Sequence, residues 1–286
     1  MTTVYLLHVK NLHSIWRKTM MTIRPVLAVF LLALLAACSD SSSLPDLDRA
    51  TEPKLKKIDP QTDQTDVKIR KKTFFEQLRP VIDAENERVL MIRKAIIALQ
   101  EESEKRDLTE SELDWLEDVG GRYRIETGDH GHPPFADLLR RVDVVPASLA
   151  MSQAAMESAW GRSRFAQQGN NLFGQWCFSK GCGIVPAQRN DGATHEVAQF
   201  KTVNAAVRSY FENLNRHPTY TELRQVRNKI RNGKLETKTP GVAMAVGLEN
   251  YSELGTEYVD HITTVIRQNK LSTMNKHLVS GANVEH

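Results

Sequence analysis

Residues 147–161 read Ala-Ser-Leu-Ala-Met-Ser-Gln-Ala-Ala-Met-Glu-Ser-Ala-Trp-Gly. Ala, Leu, Met and Gln are strong helix formers, so the stretch from Ala147 to Trp160 predicts a helix, with Gly161 as its natural stop. On that helix Glu157 shares a face with Ala150, Gln153 and Ala154 behind it, and with Trp160 and Gly161 ahead. A lysine-rich, solvated stripe is not its setting. In the last turn the helix dipole disfavours negative charge, and partial burial among small and apolar side chains acts the same way. Both raise a carboxyl pKa, which a general acid at neutral pH requires. Periodicity alone leaves an ordinary exposed glutamate near a helix end equally open.

Upstream, Phe74, Phe75, Leu78, Val81, Ile82, Val89, Leu90, Ile92, Ile96, Ile97 and Leu99 recur near helical spacing between Asp66 and Arg106. Pro80 is expected to kink or divide this stretch. Thr109 with Glu112 is a capping-box pair for a helix running to Val119, and Gly120-Gly121 is a plausible stop. His130 and His132 lie in a turn before Pro133-Pro134. Without a supporting carboxylate or Cys cluster they read as solvated loop residues, and no metal site is expected.

Downstream, Gly174 to Phe200 carries Gly, Pro, Cys and Asn-Asp-Gly turn signals with short apolar runs, the pattern of a small hairpin lobe. From Val203 onward the pattern is helical again, with Val207, Tyr210, Phe211 and Leu214 on one face and Val259, Ile262, Val265 and Ile266 on another.

The chain has 286 residues and a formal charge of +3. Residues 1–37 hold Lys10, Arg17, Lys18 and Arg24 and no acid, so the remainder is at −1 and offers no general electrostatic case for nucleic acid. Val26 to Ala37 is an unbroken apolar run, too short to span a bilayer and suited to the middle of a secretory signal peptide. It ends Leu35-Ala36-Ala37-Cys38, which resembles the bacterial lipobox, with Cys38 as the lipidated residue. Met20 or Met21 gives a more typical signal length than Met1. Ser39 favours the outer membrane by the lipoprotein-sorting pattern, so the expected location is the periplasmic side of the cell envelope. In an exported protein the other two cysteines, Cys177 and Cys182, are expected to form a disulfide. The expected organisation is a signal peptide over 1–37, a lipid-anchored flexible tether over 38–65, a helical extension over 66–134, a catalytic domain over 135–271 and a tail over 272–286.

The run Ala154-Ala155-Met156-Glu157-Ser158-Ala159-Trp160-Gly161-Arg162-Ser163 resembles the core motif of glycoside hydrolase family 73, which holds bacterial endo-β-N-acetylglucosaminidases, among them autolysins and the flagellar rod-cap peptidoglycan hydrolase. Asn170-Asn171-Leu172-Phe173-Gly174 matches its next element, and Phe200 to Tyr210 resembles its step into the following helix. Arg216-His217-Pro218-Thr219-Tyr220 resembles the end of that helix, with His217 where the family has Asn. The four blocks occur in family order over roughly Pro146 to Tyr220. The resemblance implies a mostly α, lysozyme-like fold (an α lobe, a small β-hairpin lobe and a substrate cleft between), here with a helical N-terminal extension. It also implies cleavage of the peptidoglycan glycan strand after N-acetylglucosamine, with Glu157 as general acid and no metal or organic cofactor.

Glycosidases usually employ a second carboxylate. Glu196, alternating with Ala198 and Phe200 as on a strand, is the preferred candidate. Asp191, in the Asn-Asp-Gly turn, is the other. The substrate's own 2-acetamido group is a third route. The resemblance makes Tyr220 a residue that lines the site and supports the reaction. Trp160, Asn171, Phe173 and Trp176 are candidate substrate-binding residues. Trp160 and Phe173 equally suit packing around the Glu157 turn, and Trp176 is the better sugar platform. Two other functions stay open: a muramidase or lytic transglycosylase of related fold, and a degenerate peptidoglycan-binding module.

Overall fold

The computed structural model describes residues 43–187, 192 and 194–274. The expected signal peptide, the lipobox with Cys38, and Asp191 lie outside the described residues. A compact unit begins at Leu44 and holds every helix and strand among the described residues.

Helix α1 (Val67–Ser103) starts where the Asp66 carboxylate accepts the Lys68 and Ile69 amides, an N-cap that satisfies two otherwise orphaned donors. Pro80 does not divide it. The flanking Leu78, Val81 and Ile82 are fully buried on one side, and their burial outweighs the roughly 3 kcal/mol that an interior proline costs. Helix α2 (Glu110–Tyr123) opens with the expected capping box of Thr109 and Glu112. It runs past Gly120 and Gly121 because Leu116, Val119 and Tyr123 form one buried stripe, against a cost of about 1 kcal/mol per glycine. The short α3 (Phe135–Arg141) leads into α4 (Ala147–Glu157), in which every residue from Ala147 to Ala155 is buried. Its alanines and serines let neighbouring elements approach closely. α5 (Arg164–Gly169), α6 (Val203–Arg216), α7 (Thr221–Arg231), α8 (Pro240–Ala245) and α9 (Thr256–Gln268) complete the α-helices described, with 3-10 turns at Pro218–Tyr220, Val246–Tyr251 and Leu271–Met274.

The β lobe is a three-stranded antiparallel sheet rather than a simple hairpin. β1 (Trp176–Cys177) and β2 (Gly183–Ile184) both pair with β3 (Glu196–Ala198), which lies between them. Val197 stands opposite Trp176 on one side and Ile184 on the other. The expected Cys177–Cys182 disulfide is present and closes the turn that joins the outer strands. The fold class is thus the expected one, mostly helical with a small sheet.

One expectation is corrected. Residues 44–65 are not a flexible tether: they form a strap laid on the helices. Leu47 and Ile58 are buried, and Leu44 and Leu55 pack against the core. Asn204 at the start of α6 donates to the Thr51 and Pro53 carbonyls and accepts from the Leu55 amide at 2.8 Å. Arg88 and Trp115 donate to the carbonyls of Leu47 and Pro45. The helical extension over 66–134 packs into the same unit. One hydrophobic core runs from Leu47 to Leu271. Within it α1 packs on α4 and α6, and Asn86 exchanges two hydrogen bonds of 2.9 Å with the backbone of Val145.

Candidate active site

Glu157 is the last residue of α4. The helix stops three residues before the expected end. Ala159, Trp160 and Gly161 follow with φ of +50°, +61° and +78°, three successive left-handed residues that turn the chain sharply. Ser158 holds the turn: its hydroxyl donates to the Ala154 carbonyl at 2.6 Å and accepts the Gly161 amide at 2.7 Å. Gly161 is required here. A Cβ at that position would lie 2.7 Å from Ile58 Cγ2 of the strap.

The Glu157 carboxyl is enclosed from two directions. Gly174 (φ +64°) faces Oε2 so closely that a Cβ there would lie 3.3 Å from it. Asn171 shapes that loop: its side chain donates to the Gln175 and Ala198 carbonyls and accepts from the Phe173 and Gln175 amides. From the other direction the Tyr258 hydroxyl donates to Oε1 at 2.7 Å. That hydroxyl accepts from Gln153 Nε2 at 3.0 Å, and Gln153 Oε1 accepts from the Tyr210 hydroxyl at 2.6 Å. Each donor in the series Tyr210, Gln153, Tyr258 is committed to the next group, so the single Tyr258 proton is directed at Glu157. Tyr251 stacks on Tyr258 with ring centres 5.6 Å apart and donates to the Phe173 carbonyl at 2.7 Å. Tyr220 lies against Tyr251 at 6.0 Å and is buried.

Burial pushes the Glu157 carboxyl above the ordinary carboxylate range, and the Tyr258 hydrogen bond offsets part of that rise. Burial also raises the hydroxyls of Tyr210, Tyr220, Tyr251 and Tyr258, so they remain protonated donors at neutral pH. The raised Glu157 pKa has a consequence for stability. The native state favours the neutral acid, a contribution present below the unfolded pKa and lost as pH rises through the folded value. Glu157→Gln, which keeps the acceptor for Tyr258, is therefore expected to raise Tm by about 2 °C or more at pH 7 and to lose that advantage below about pH 4. Thermal melts at the two pH values check this, and an equal shift at both would argue against a strained carboxylate.

The other sequence candidates are placed differently. Trp160 packs edge-on against Phe74 and Phe75 of α1, with ring centres 5.9 and 5.2 Å away, so it wedges the turn onto that helix. Phe173 is fully buried and stacks on Tyr210 at 4.0 Å, and Asn171 is buried in its loop. Phe173 and Asn171 are thus enclosed in the support of the site, whereas Trp160 is half-buried and lines a small surface groove. Trp176 is 60% exposed and stacks on His195 at 4.2 Å. Glu196 is on a strand as expected, but its side chain does not face an open cleft. It is buried, and its two oxygens accept the amides of Gly181 at 3.0 Å and Gly183 at 2.8 Å, because the cystine turn presents those donors to it. His130 and His132 stack on each other in their loop, 6.3 Å apart.

Sequence reasoning missed Tyr258, Tyr251 and the bridging role of Gln153. Tyr258 lies one helical turn before Ile262 on the buried face of α9, a pattern that reads as packing. The available signal was the polarity of the three: a buried Gln and buried tyrosines must each find a partner.

The glucosaminidase family, described as mannosyl-glycoprotein endo-beta-N-acetylglucosaminidase, matches residues 132–271. The chain belongs to this family and is a glycoside hydrolase of its kind. Over a longer span of 202 residues it is 32% identical to Protein bax of Escherichia coli (strain K12), covering 70% of each chain. Among solved structures it is similar to the catalytic domain of the autolysin Auto from Listeria monocytogenes, with a TM-score of 0.33 and 17% identity over 58% of this chain and 84% of that one.

Proposed function

We propose that the protein hydrolyses the glycan strand of peptidoglycan after N-acetylglucosamine, with Glu157 as the general acid. The observation that carries this reading is the Glu157 carboxyl: partly buried, raised in pKa and aligned by a tyrosine that accepts from Gln153 and donates its one proton to it. A protonated carboxyl delivers its proton to the glycosidic oxygen as the bond to the anomeric carbon breaks and an oxocarbenium ion develops. Glu196 is engaged by the cystine turn, so water or the substrate's 2-acetamido group completes the displacement at the anomeric carbon. Family membership supports the glucosaminidase bond over the muramidase and transglycosylase alternatives. The signal-like N-terminus ending in Leu35-Ala36-Ala37-Cys38 supports an envelope location through a lipid on Cys38.

Digestion of isolated peptidoglycan by a chain starting at Ser39 tests this reading. The expected products end in reducing N-acetylglucosamine. Products ending in reducing or 1,6-anhydro N-acetylmuramic acid would overturn the assigned bond, and binding without any product would favour a binding module.

A companion expectation concerns Tyr258→Phe. Its hydroxyl stabilises the ionised carboxyl, so its loss raises the Glu157 pKa further. The alkaline limb of the pH–rate profile is expected to move to higher pH, with kcat lower by about tenfold as the acid loses its alignment. A limb that stays in place would separate Tyr258 from the titration of the acid.

A further inference from the structure

The mature chain is nearly neutral, yet its charge is unevenly spread. Between residues 67 and 79 lie Lys68, Arg70, Lys71, Lys72 and Arg79 against Glu76 alone. Lys68, Lys71, Lys72 and Arg79 line a surface groove of about 520 Å³ along the first half of α1. Lys71 also lines a smaller adjoining groove with Arg70, Trp160 and Arg162, where its ammonium sits 4.6 Å over the Trp160 ring. Arg79 is paired with Asp83 at 3.5 Å and adds no free charge, but Glu76 does not neutralise the lysines. It pairs with Lys72 at 3.6 Å, but both side chains are more than 60% exposed, and such pairs are weak. The helix-end amides of Lys68 and Ile69 are already taken by Asp66, so any attraction for an anion resides in the side chains.

A second observation concerns apolar groups. Val67 is 50% exposed and Ile69 46%; two positions apart on the helix, they stand on opposite flanks of the lysine-bearing face at its first turn. Exposed β-branched residues interleaved with Lys and Arg suit a polyanionic surface with an apolar interior, where the apolar groups enter and the cations stay at the headgroups. No helix among the described residues is long and apolar enough to cross a membrane, so the contact would lie on the surface. We propose that the first turns of α1 bind the surface of an anionic phospholipid bilayer, with Lys68, Lys71 and Lys72 beside the lipid phosphates and Val67 and Ile69 touching the headgroup layer at the two flanks. The acyl groups expected on Cys38 take no part, so the contact exists in the unlipidated chain.

The test uses the unlipidated chain from Ser39, which keeps the whole compact unit. Co-sedimentation is measured with phosphatidylcholine vesicles, alone and with about one third phosphatidylglycerol. Binding is expected only to the anionic vesicles, and is expected to weaken strongly at high salt. Each basic side chain near such a surface is worth about fivefold, so the double variant Lys68→Glu/Lys72→Glu is expected to bind at least about 25-fold more weakly. Val67→Ser/Ile69→Ser is expected to bind about fivefold more weakly, and all variants should keep the thermal midpoint, which shows that the fold is intact. Absence of binding, equal binding to both vesicle types, or charge reversal without loss would each overturn the proposal. So would a charge-reversed variant that holds its vesicle affinity but loses binding to isolated peptidoglycan, because the partner would then be the carboxylates of its peptide stems.

Discussion

Glu157→Gln is expected to lower peptidoglycan hydrolysis by about 10²–10⁴-fold at neutral pH, while binding of the polymer and the folded structure persist. The amide has the shape of the acid and still offers Tyr258 an acceptor, so the network Tyr210–Gln153–Tyr258 is retained. What it lacks is a proton acidic enough to reach the leaving oxygen in the transition state. Glu157→Asp is expected to fail nearly as badly for a different reason: the shorter side chain withdraws the carboxyl from the Tyr258 hydroxyl and from the Gly174 loop. Kinetics on solubilised glycan fragments separate the two, since an intact network preserves KM while kcat falls. Activity within tenfold of wild type in Glu157→Gln would mean that another group supplies the proton.

Gly161→Ala is expected to destabilise the protein by about 2–4 kcal/mol, the sum of left-handed strain at φ +78° and overpacking against Ile58. For a unit of this size that is a fall in Tm of roughly 4–16 °C. Ile58→Ala alone is expected to cost about 2–5 kcal/mol through the cavity it leaves beneath the turn. The informative variant is the double. With Ile58 truncated, the new methyl at 161 has room, so the two costs should add to about 1 kcal/mol or more less than their sum. Additive costs would show that the strap and the catalytic turn are energetically separate. Activity should fall with Gly161→Ala more than stability alone accounts for, because the distorted turn begins one residue after Glu157.

What could be read from the sequence depended on whether a residue's role left a local pattern. The run of Ala, Ser and Met from 147 to 157 marks a buried helix because small residues in series have few other uses, and its terminal glutamate stood out against them. The capping box at Thr109 and the cystine at Cys177 and Cys182 follow from contacts only a few residues apart in sequence. Tyr258 reaches Glu157 across 101 residues, and no periodicity encodes that meeting. Glu196 was legible as a strand residue, but not as the acceptor for the Gly181 and Gly183 amides, because the cystine turn that presents them is not periodic. The strap was misjudged for a related reason. Its apolar residues, Leu44, Leu47, Leu55 and Ile58, are sparse among Lys, Asp and Pro, so composition suggests solvation while each one in fact fills a site on the helices.

The long shared core bears on how genes for such enzymes are cut and joined. The family match begins at residue 132, and a cassette drawn at that line would look self-contained. It would leave behind Phe74 and Phe75, against which Trp160 wedges, and Ile58, on which the Gly161 turn rests. Transplanted alone, residues 132–271 would carry the acid without the floor beneath it. A portable version of this hydrolase starts at Leu44, and lineages that shuffle it can be expected to inherit the preceding helix and strap as a single piece.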